Sequence, residues 1–325
     1  MVNIPRSEDT TMKVRVVRKR MEATDICSFE LVAEGVQELP PFDAGAHVDV
    51  HVTNGVVRQY SLCNPPRETH RYVIAVLLDA KSRGGSVAMH TQVSEGDVLT
   101  IGRPRNLFAL AAESQRSVLF AGGIGVTPIL AMAEKLSSEN RPFVMHYCTR
   151  SRDRTAFMER ILNSQLAEHV RFYHGDDAQG KIDIAACLGP VHEATHVYVC
   201  GPTGFLDAVT ETAYSNGWPE HLVHSERFGA AQPDADGASF EVVLHNSGKR
   251  VQVMATETVV DALIRCGINI PTSCEQGVCG TCLTGVIDGI PDHKDVYLSD
   301  AERAKNDRFL PCCSRALSPR LVLDL

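Results

Sequence analysis

A chain of 325 residues with a formal net charge of -8 has room for two or three domains, and its acidic balance argues against nucleic acid as a partner. Its 11 cysteines would signal disulfides only in an oxidising compartment, yet residues 1–11 are polar and carry no apolar core of a secretion signal, and no apolar run reaches the length of a bilayer. The expectation is a cytoplasmic, multidomain protein that works on a small molecule or another protein, with no membrane and no nucleic acid.

The first segment, residues 1–112, alternates apolar and polar positions and is rich in β-branched residues from Lys13 to about Ile101, as in Val14-Arg15-Val16-Val17 and His47-Val48-Asp49-Val50-His51-Val52. That pattern predicts an antiparallel barrel or sandwich. Two stretches in it are suited to an anion. Arg58-Gln59-Tyr60-Ser61 offers a planar guanidinium and a flat aromatic face, and Arg83-Gly84-Gly85-Ser86 opens a helical stretch with free backbone N–H groups. Taken singly, an Arg on a strand is usually solvated and Gly-Gly-Ser is usually a turn.

From residue 113 to 229 the period changes. Short apolar strands at 118–121, 143–148, 170–174 and 196–200 alternate with helical stretches near 128–138 and 155–165, which predicts a parallel sheet with right-handed crossovers. Directly after the first strand stands Ala121-Gly122-Gly123-Ile124-Gly125-Val126-Thr127-Pro128. Its glycines allow close approach of a pyrophosphate, Thr127 is suited to cap the helix, and Pro128 suits the first helical position. The third glycine of the Rossmann fingerprint is absent, so the match to that motif is partial. Val199-Cys200-Gly201-Pro202 closes the last clear strand, at the edge where such sheets bind ligands. Arg150, Arg152 and Arg154 follow the second strand, where positive charge would meet a 2′-phosphate.

Residues 230–239 are small, polar and contain Pro, and read as a linker. In the last segment, residues 240–325, strands at 240–244 and 250–253 flank the hairpin signal Asn246-Ser247-Gly248, and a helix near 259–266 runs from the cap Thr258 to Gly267. Then come Cys274, Cys279 and Cys282 in the spacing C-x4-C-x2-C, with a fourth cysteine far along the chain at Cys312 or its neighbour Cys313. This is the plant-type spacing for a two-iron two-sulfur cluster. A four-cysteine zinc site usually shows two short C-x2-C pairs, and only one is present. Spacing alone does not choose between Cys312 and Cys313.

The order Arg-x-Tyr-Ser, Gly-Gly-Ser, Gly-Gly-Ile-Gly-Val-Thr-Pro, Cys-Gly-Pro, a late Phe-Gly, and then C-x4-C-x2-C with a distant Cys resembles the phthalate dioxygenase reductase family, with relatives among vanillate demethylase and carnitine monooxygenase reductases. The resemblance runs from about residue 12 to Leu325. It implies an antiparallel β-barrel flavin domain, an α/β parallel-sheet nicotinamide domain and an α+β, β-grasp-like ferredoxin domain. It further implies that Arg58, Tyr60, Ser61, Arg83, Gly85 and Ser86 bind FMN, with Thr127 near its reactive edge and Phe228 against its ring. Gly122, Gly123 and Gly125 would hold the NADH nucleotide, Cys200, Gly201 and Pro202 would stand beside its nicotinamide ring, and Glu226 would bind cofactor at the end of the nicotinamide domain with Phe228. The family reads Cys-x-Ser-Arg-Ala at the fourth ligand, which matches Cys312 through Ala316 and so selects Cys312 beside Cys274, Cys279 and Cys282.

The implied function is an NADH-dependent reductase component that passes electrons from NADH through FMN and the cluster to a Rieske oxygenase or demethylase in aromatic catabolism. A haem-thiolate monooxygenase or a reductive dehalogenase is the alternative acceptor, and a redox-sensing module is a third reading. The cofactors carry the chemistry, so no side chain is required as acid, base or nucleophile. Glu275, Asp288, Asp292, Asp295, Asp300 and Glu302 point to an acidic docking face diluted by Lys294, Arg303, Lys305 and Arg308.

Overall fold

Alternating burial shapes the first strands: Val14 and Val16 are wholly buried while Arg15 between them reaches the surface. The computed structural model describes residues 11–35, 38–52, 56–79, 84–177, 182–228, 238–272, 275, 277, 280–295 and 297–325. The chain divides into two units, Met1–Phe228 and Gly229–Leu325.

In the first unit, β1 (Thr11–Ala23), β2 (Ile26–Ala33), β3 (Ala46–His51), β4 (Val57–Ser61), β5 (Tyr72–Leu77), helix α1 (Gly85–Thr91), β6 (Val98–Gly102) and β7 (Arg105–Asn106) make a seven-stranded antiparallel sheet. Its order is β4-β3-β6-β1-β2-β5, with β7 paired to β3. A bridge between Leu62 and Ile74 joins the two ends of that order, which decides for a barrel over a sandwich. Val14, Phe29, Leu31, Val48, Ile74 and Ile101 fill its interior.

The same unit continues with β8 (Arg116–Gly122), α2 (Val126–Ser138), β9 (Phe143–Thr149), α3 (Met158–Leu162), β10 (Val170–His174), α4 (Ile184–Leu188), β11 (Thr195–Gly201), α5 (Thr203–Ser215) and β12 (Val223–Arg227). The strands are parallel in the order β10-β9-β8-β11-β12, so the order reverses between β8 and β11 and leaves a crevice there. Both central strands are buried almost throughout, as helices on both faces require. Barrel and sheet share one apolar seam, in which Ile26, Val73 and Phe108 pack with Leu119, Val126 and Ile129.

Three details differ from expectation. A 3-10 turn at Gly123–Gly125 starts α2 early, so Gly125 takes the cap position, and the Thr127 hydroxyl instead donates to the Ile124 carbonyl at 3.1 Å. Pro128 is then the third helical residue, still in the first turn, where its missing N–H has no intrahelical acceptor to lose. The helix expected near 155–165 shrinks to α3 because Arg152–Arg154 form a separate 3-10 turn and Phe157 takes a left-handed φ of 60°. A fifth parallel strand, β12, follows the one read as last; it is a polar edge strand with no apolar run to announce it.

The second unit contains β13 (Phe240–Leu244), β14 (Arg250–Val253), α6 (Val259–Arg265), β15 (Thr284–Asp288), β16 (Pro291–Asp292), α7 (Asp300–Arg303), β17 (Arg308–Phe309), β18 (Arg315–Ala316) and β19 (Arg320–Leu323). The order β14-β13-β19-β15-β17, with β13 and β19 parallel at its centre and α6 against one face, is a β-grasp sheet. Thr258 caps α6 as its sequence predicts: its hydroxyl accepts from Asp261 N at 3.0 Å, and the Asp261 carboxylate accepts in return from Thr258 N at 3.2 Å. The buried Arg315 donates to the carbonyls of Glu257, Ala238 and Met254 and lies over the Phe240 ring. Among the described residues no helix is long and apolar enough to cross a membrane.

Candidate functional site

Strand β4 carries Arg58, Tyr60 and Ser61 to the rim of the barrel, and α1 begins beside them. The Arg58 side chain lies along the first turn of that helix so closely that a Cβ on Gly85 would stand 2.7 Å from Arg58 Cγ and 3.0 Å from Nε. Gly84 takes a φ of +98°, and Ser86 Oγ accepts from Asp79 N at 3.1 Å, so the turn is fixed from both sides. A guanidinium beside the first turn of a helix is an arrangement that would suit a phosphate. Arg83 lies outside the described residues. Burial pushes the Tyr60 phenol up to about 12, against the pull of the Arg58 charge, so Tyr60 offers a neutral face.

The ends of β8 and β11 meet backbone to backbone at the crevice. A Cβ on Gly125 would come within 2.2 Å of the Cys200 carbonyl oxygen, and one on Gly201 within 2.9 Å of Gly122 Cα. Gly123, with a φ of +54°, has open space where a side chain would be. Glycine is required at the first positions by contact and at Gly123 by conformation. Pro202 takes the cap position ahead of α5, and Phe228, just past β12, is more than one-third exposed.

The edge strand missed in the sequence supplies the most unusual group. Glu226 on β12 pairs in register with Cys200 on β11, and its carboxyl bonds to Ser61 of the barrel. Burial raises that carboxyl to about 8, with the Ser61 hydrogen bond pulling weakly the other way, and Oε2 is buried with no hydrogen-bond partner. An orphaned oxygen at the junction of barrel and sheet is what a polar ring edge bound there would satisfy. Burial, and then the Glu226 carboxyl, holds the Cys200 thiol well above its ordinary value, which suits a packed neutral thiol and not a nucleophile. The three arginines after β9 do not stand together: Arg154 pairs with Asp25 of the barrel at 3.2 Å, and Asp153 between them accepts from Thr24 Oγ1 at 2.8 Å.

In the second unit Cys282 and Cys312 are buried among Val260, Leu298 and Leu310. Hydrogen bonds of the Cys312 thiol with Cys282 and Cys313, together with burial, hold it far above the ordinary thiol range. As an iron ligand Cys312 would serve as the thiolate and would release that proton on binding. The Cys313 sulfur also lies 3.7 Å from the Leu310 carbonyl oxygen and from Ser314 Oγ. Cys274 and Cys279 lie outside the described residues. The loop they belong to turns through left-handed residues, Glu275 at 56°, Gly277 at 76° and Gly280 at 72°. Buried thiols in an apolar pocket beside so tight a loop fit a cysteine-ligated cluster.

The acidic face is weaker than its composition implies. Asp295 is buried, Asp288 pairs with Arg320 at 2.8 Å, Asp292 with Lys294 at 3.3 Å and Asp300 with Arg303 at 3.7 Å, while Glu302 caps its own helix through Ser299.

An arginine beside a helix start, a glycine-walled crevice between parallel strands and buried cysteines next to a tight loop are the parts expected of a chain that receives electrons in pairs and releases them singly; the class so defined is the nicotinamide-dependent iron–sulfur flavoprotein reductases. Residues 119–211 match the oxidoreductase NAD-binding domain and residues 242–317 the 2Fe-2S iron-sulfur cluster binding domain. Vanillate O-demethylase oxidoreductase of Pseudomonas sp. strain HR199 is 51% identical over 317 residues, covering 97% of this chain and 100% of that protein. Phthalate dioxygenase reductase of Burkholderia cepacia is 39% identical over 322 residues, 98% of each chain. A solved structure of phthalate dioxygenase reductase, described as modular for electron transfer from pyridine nucleotides to [2Fe-2S], superposes with a TM-score of 0.77 at 38% identity, covering 98% of this chain and 99% of that one. The chain belongs to the phthalate dioxygenase reductase family, the oxidoreductase components that carry electrons from nicotinamide nucleotide through flavin and a 2Fe-2S cluster in oxygenase and demethylase systems.

Proposed function

We propose that this chain is the NADH-dependent reductase of a Rieske oxygenase or demethylase acting on an aromatic substrate, and that it works in the cytoplasm. The observation that carries the site assignment is the meeting of Ser61 and Glu226, which brings barrel rim and sheet edge to one place. Arg58, Arg83, Gly85 and Ser86 hold the FMN phosphate; Tyr60, Ser61, Thr127 and Phe228 line the place of its ring. Gly122, Gly123 and Gly125, with Cys200, Gly201 and Pro202, seat the nicotinamide nucleotide, and Cys274, Cys279, Cys282 and Cys312 hold the cluster. FMN, when bound, converts a two-electron hydride donation into single-electron output. The chain's own residues orient and enclose: the crevice glycines let the nucleotide approach the backbone, and Glu226, which keeps its proton at neutral pH, presents a neutral donor beside Ser61. Residues 1–112, 113–229 and 240–325 serve as flavin, nicotinamide and ferredoxin domains, with 230–239 as the linker.

The test compares the full chain with residues 1–231. Both should oxidise NADH with ferricyanide, faster than NADPH, and only the full chain should reduce cytochrome c or the partner oxygenase. Oxygenase reduction by the truncated chain would overturn the electron path.

A further inference from the structure

Beneath the ligand loop of the second unit lies a buried charged group that the electron path above does not use. Asp295 stands between Cys282 and Cys312 in sequence, with its side chain wholly shielded from solvent. Its Oδ2 accepts from Leu298 N at 2.9 Å and its Oδ1 from Ser314 Oγ at 3.4 Å. Arg303 donates through Nη2 to the Asp295 carbonyl, and its Nε lies 4.0 Å from Oδ2. His293 Nδ1 lies 3.5 Å from Oδ1, and neither nitrogen of that ring has a hydrogen-bond partner among the described residues. Ser314, two residues past Cys312, accepts in turn from Lys294 N at 3.1 Å. On the other side, a Cβ on Gly277 would fall 2.9 Å from Asp295 Cα and 3.0 Å from its Cβ. Asp295 is therefore wedged between the loop of Cys274 and Cys279 and the turn of Cys312.

An asparagine could accept from Leu298 N through its amide oxygen and donate through its amide nitrogen to Ser314 Oγ, keeping two hydrogen bonds without the desolvation cost of a buried carboxylate. What the carboxylate adds is a fixed negative charge, placed in a poorly screened interior beside the ligand-bearing segments. Such a charge opposes the arrival of an electron, and a nearby cation favours it. We propose that Asp295 and Arg303 form an opposed pair that sets the potential of the cluster: Asp295 lowers it, Arg303 raises it, and the bonds from Leu298 and Ser314 hold Asp295 in place. This rests on the reading of the four cysteines as cluster ligands.

The experiment is a reductive titration of the full-length, cluster-loaded protein followed by EPR, comparing wild type with Asp295→Asn, Arg303→Gln and Ser314→Ala. Asp295→Asn should move the midpoint potential upward and Arg303→Gln downward, with g-values unchanged. Ser314→Ala keeps both charges and should move it less than either. A purely structural role predicts no such opposition of sign; shifts of the same sign, or none, overturn the proposal. Should Asp295→Asn lose its cluster, Arg303→Gln decides alone, because Arg303 is partly exposed: a downward shift supports the pair, and a null or upward shift refutes it. A wild-type protein with no cluster signal would refute the ligand reading instead, which is a distinguishable result.

Discussion

Replacing Glu226 by Gln should stabilise the first unit, and the gain should grow with pH. The folded carboxyl holds its proton up to about 8, where an unfolded Glu releases it near 4.5. The sign follows from the raised folded value: wild-type stability from this group is full below about 4.5, declines as pH rises toward 8, and is flat above it. At roughly 1.4 kcal/mol per unit, the loss is about 3 kcal/mol at pH 7 and about 5 kcal/mol above pH 8. Glutamine keeps the shape and never ionises, so the difference between variant and wild type has that same profile. For a unit of this size, about 3 kcal/mol corresponds to roughly 6–12 °C in Tm. Trp218 is the single tryptophan of the chain, is buried, and lies in the first unit, so its fluorescence follows that unit's unfolding without interference from the second. A stability gap between the two proteins that stays constant from pH 5 to 8.5 would refute the buried, proton-bearing carboxyl.

Other perturbations read the remaining parts of the site. Cys312→Ser should remove or shift the visible and EPR signals of the cluster, while Cys313→Ser should leave them nearly intact, since the Cys313 sulfur has the Leu310 carbonyl and the Ser314 hydroxyl as neighbours; the reverse result would move the fourth ligand by one residue. Arg58→Ala deletes a charge-assisted contact worth about 1.5–3 kcal/mol, so the FMN dissociation constant measured by flavin fluorescence should rise roughly ten- to hundredfold; an unchanged constant would displace the phosphate from this place. Because Asp288, Asp292 and Asp300 are each paired with a cation, oxygenase reduction should slow less than about twofold between low and physiological salt. A steep salt dependence would show that a net acidic field steers the partner after all.

Periodicity was informative wherever an element has two unlike faces or none exposed. Strand β1 alternates, β8 and β11 carry apolar runs from Val118 to Ala121 and from Val197 to Cys200, and Thr258 announces α6. It failed where tertiary placement overrides residue type. Nothing in Val-His-Ser-Glu-Arg says strand, because an edge strand buries little, and yet β12 delivers Glu226 to the barrel. Asp295 reads as surface charge beside its acidic neighbours, and only its contacts with Leu298, Ser314 and Gly277 reveal it as interior. Arg150, Arg152 and Arg154 form a run in sequence, but the 3-10 turn sends Arg154 to Asp25. The Cys-x-Ser-Arg-Ala spelling, by contrast, had visible physical content once folded, since Ser314 and Arg315 are both buried and bonded.

That arginine has a further consequence. One guanidinium serves Ala238 at the start of the described second unit, Met254 and Glu257 just ahead of α6, and stands three residues past Cys312. No other natural side chain presents so many donors in one plane, so a lysine could reach only part of this set. The segment arriving from the first unit, the approach to α6 and the last cluster ligand are therefore anchored to a common post. Shortening this side chain, as in Arg315→Lys, should therefore loosen all three segments together, and proteases should cut that variant near Ala238 before they cut the wild type.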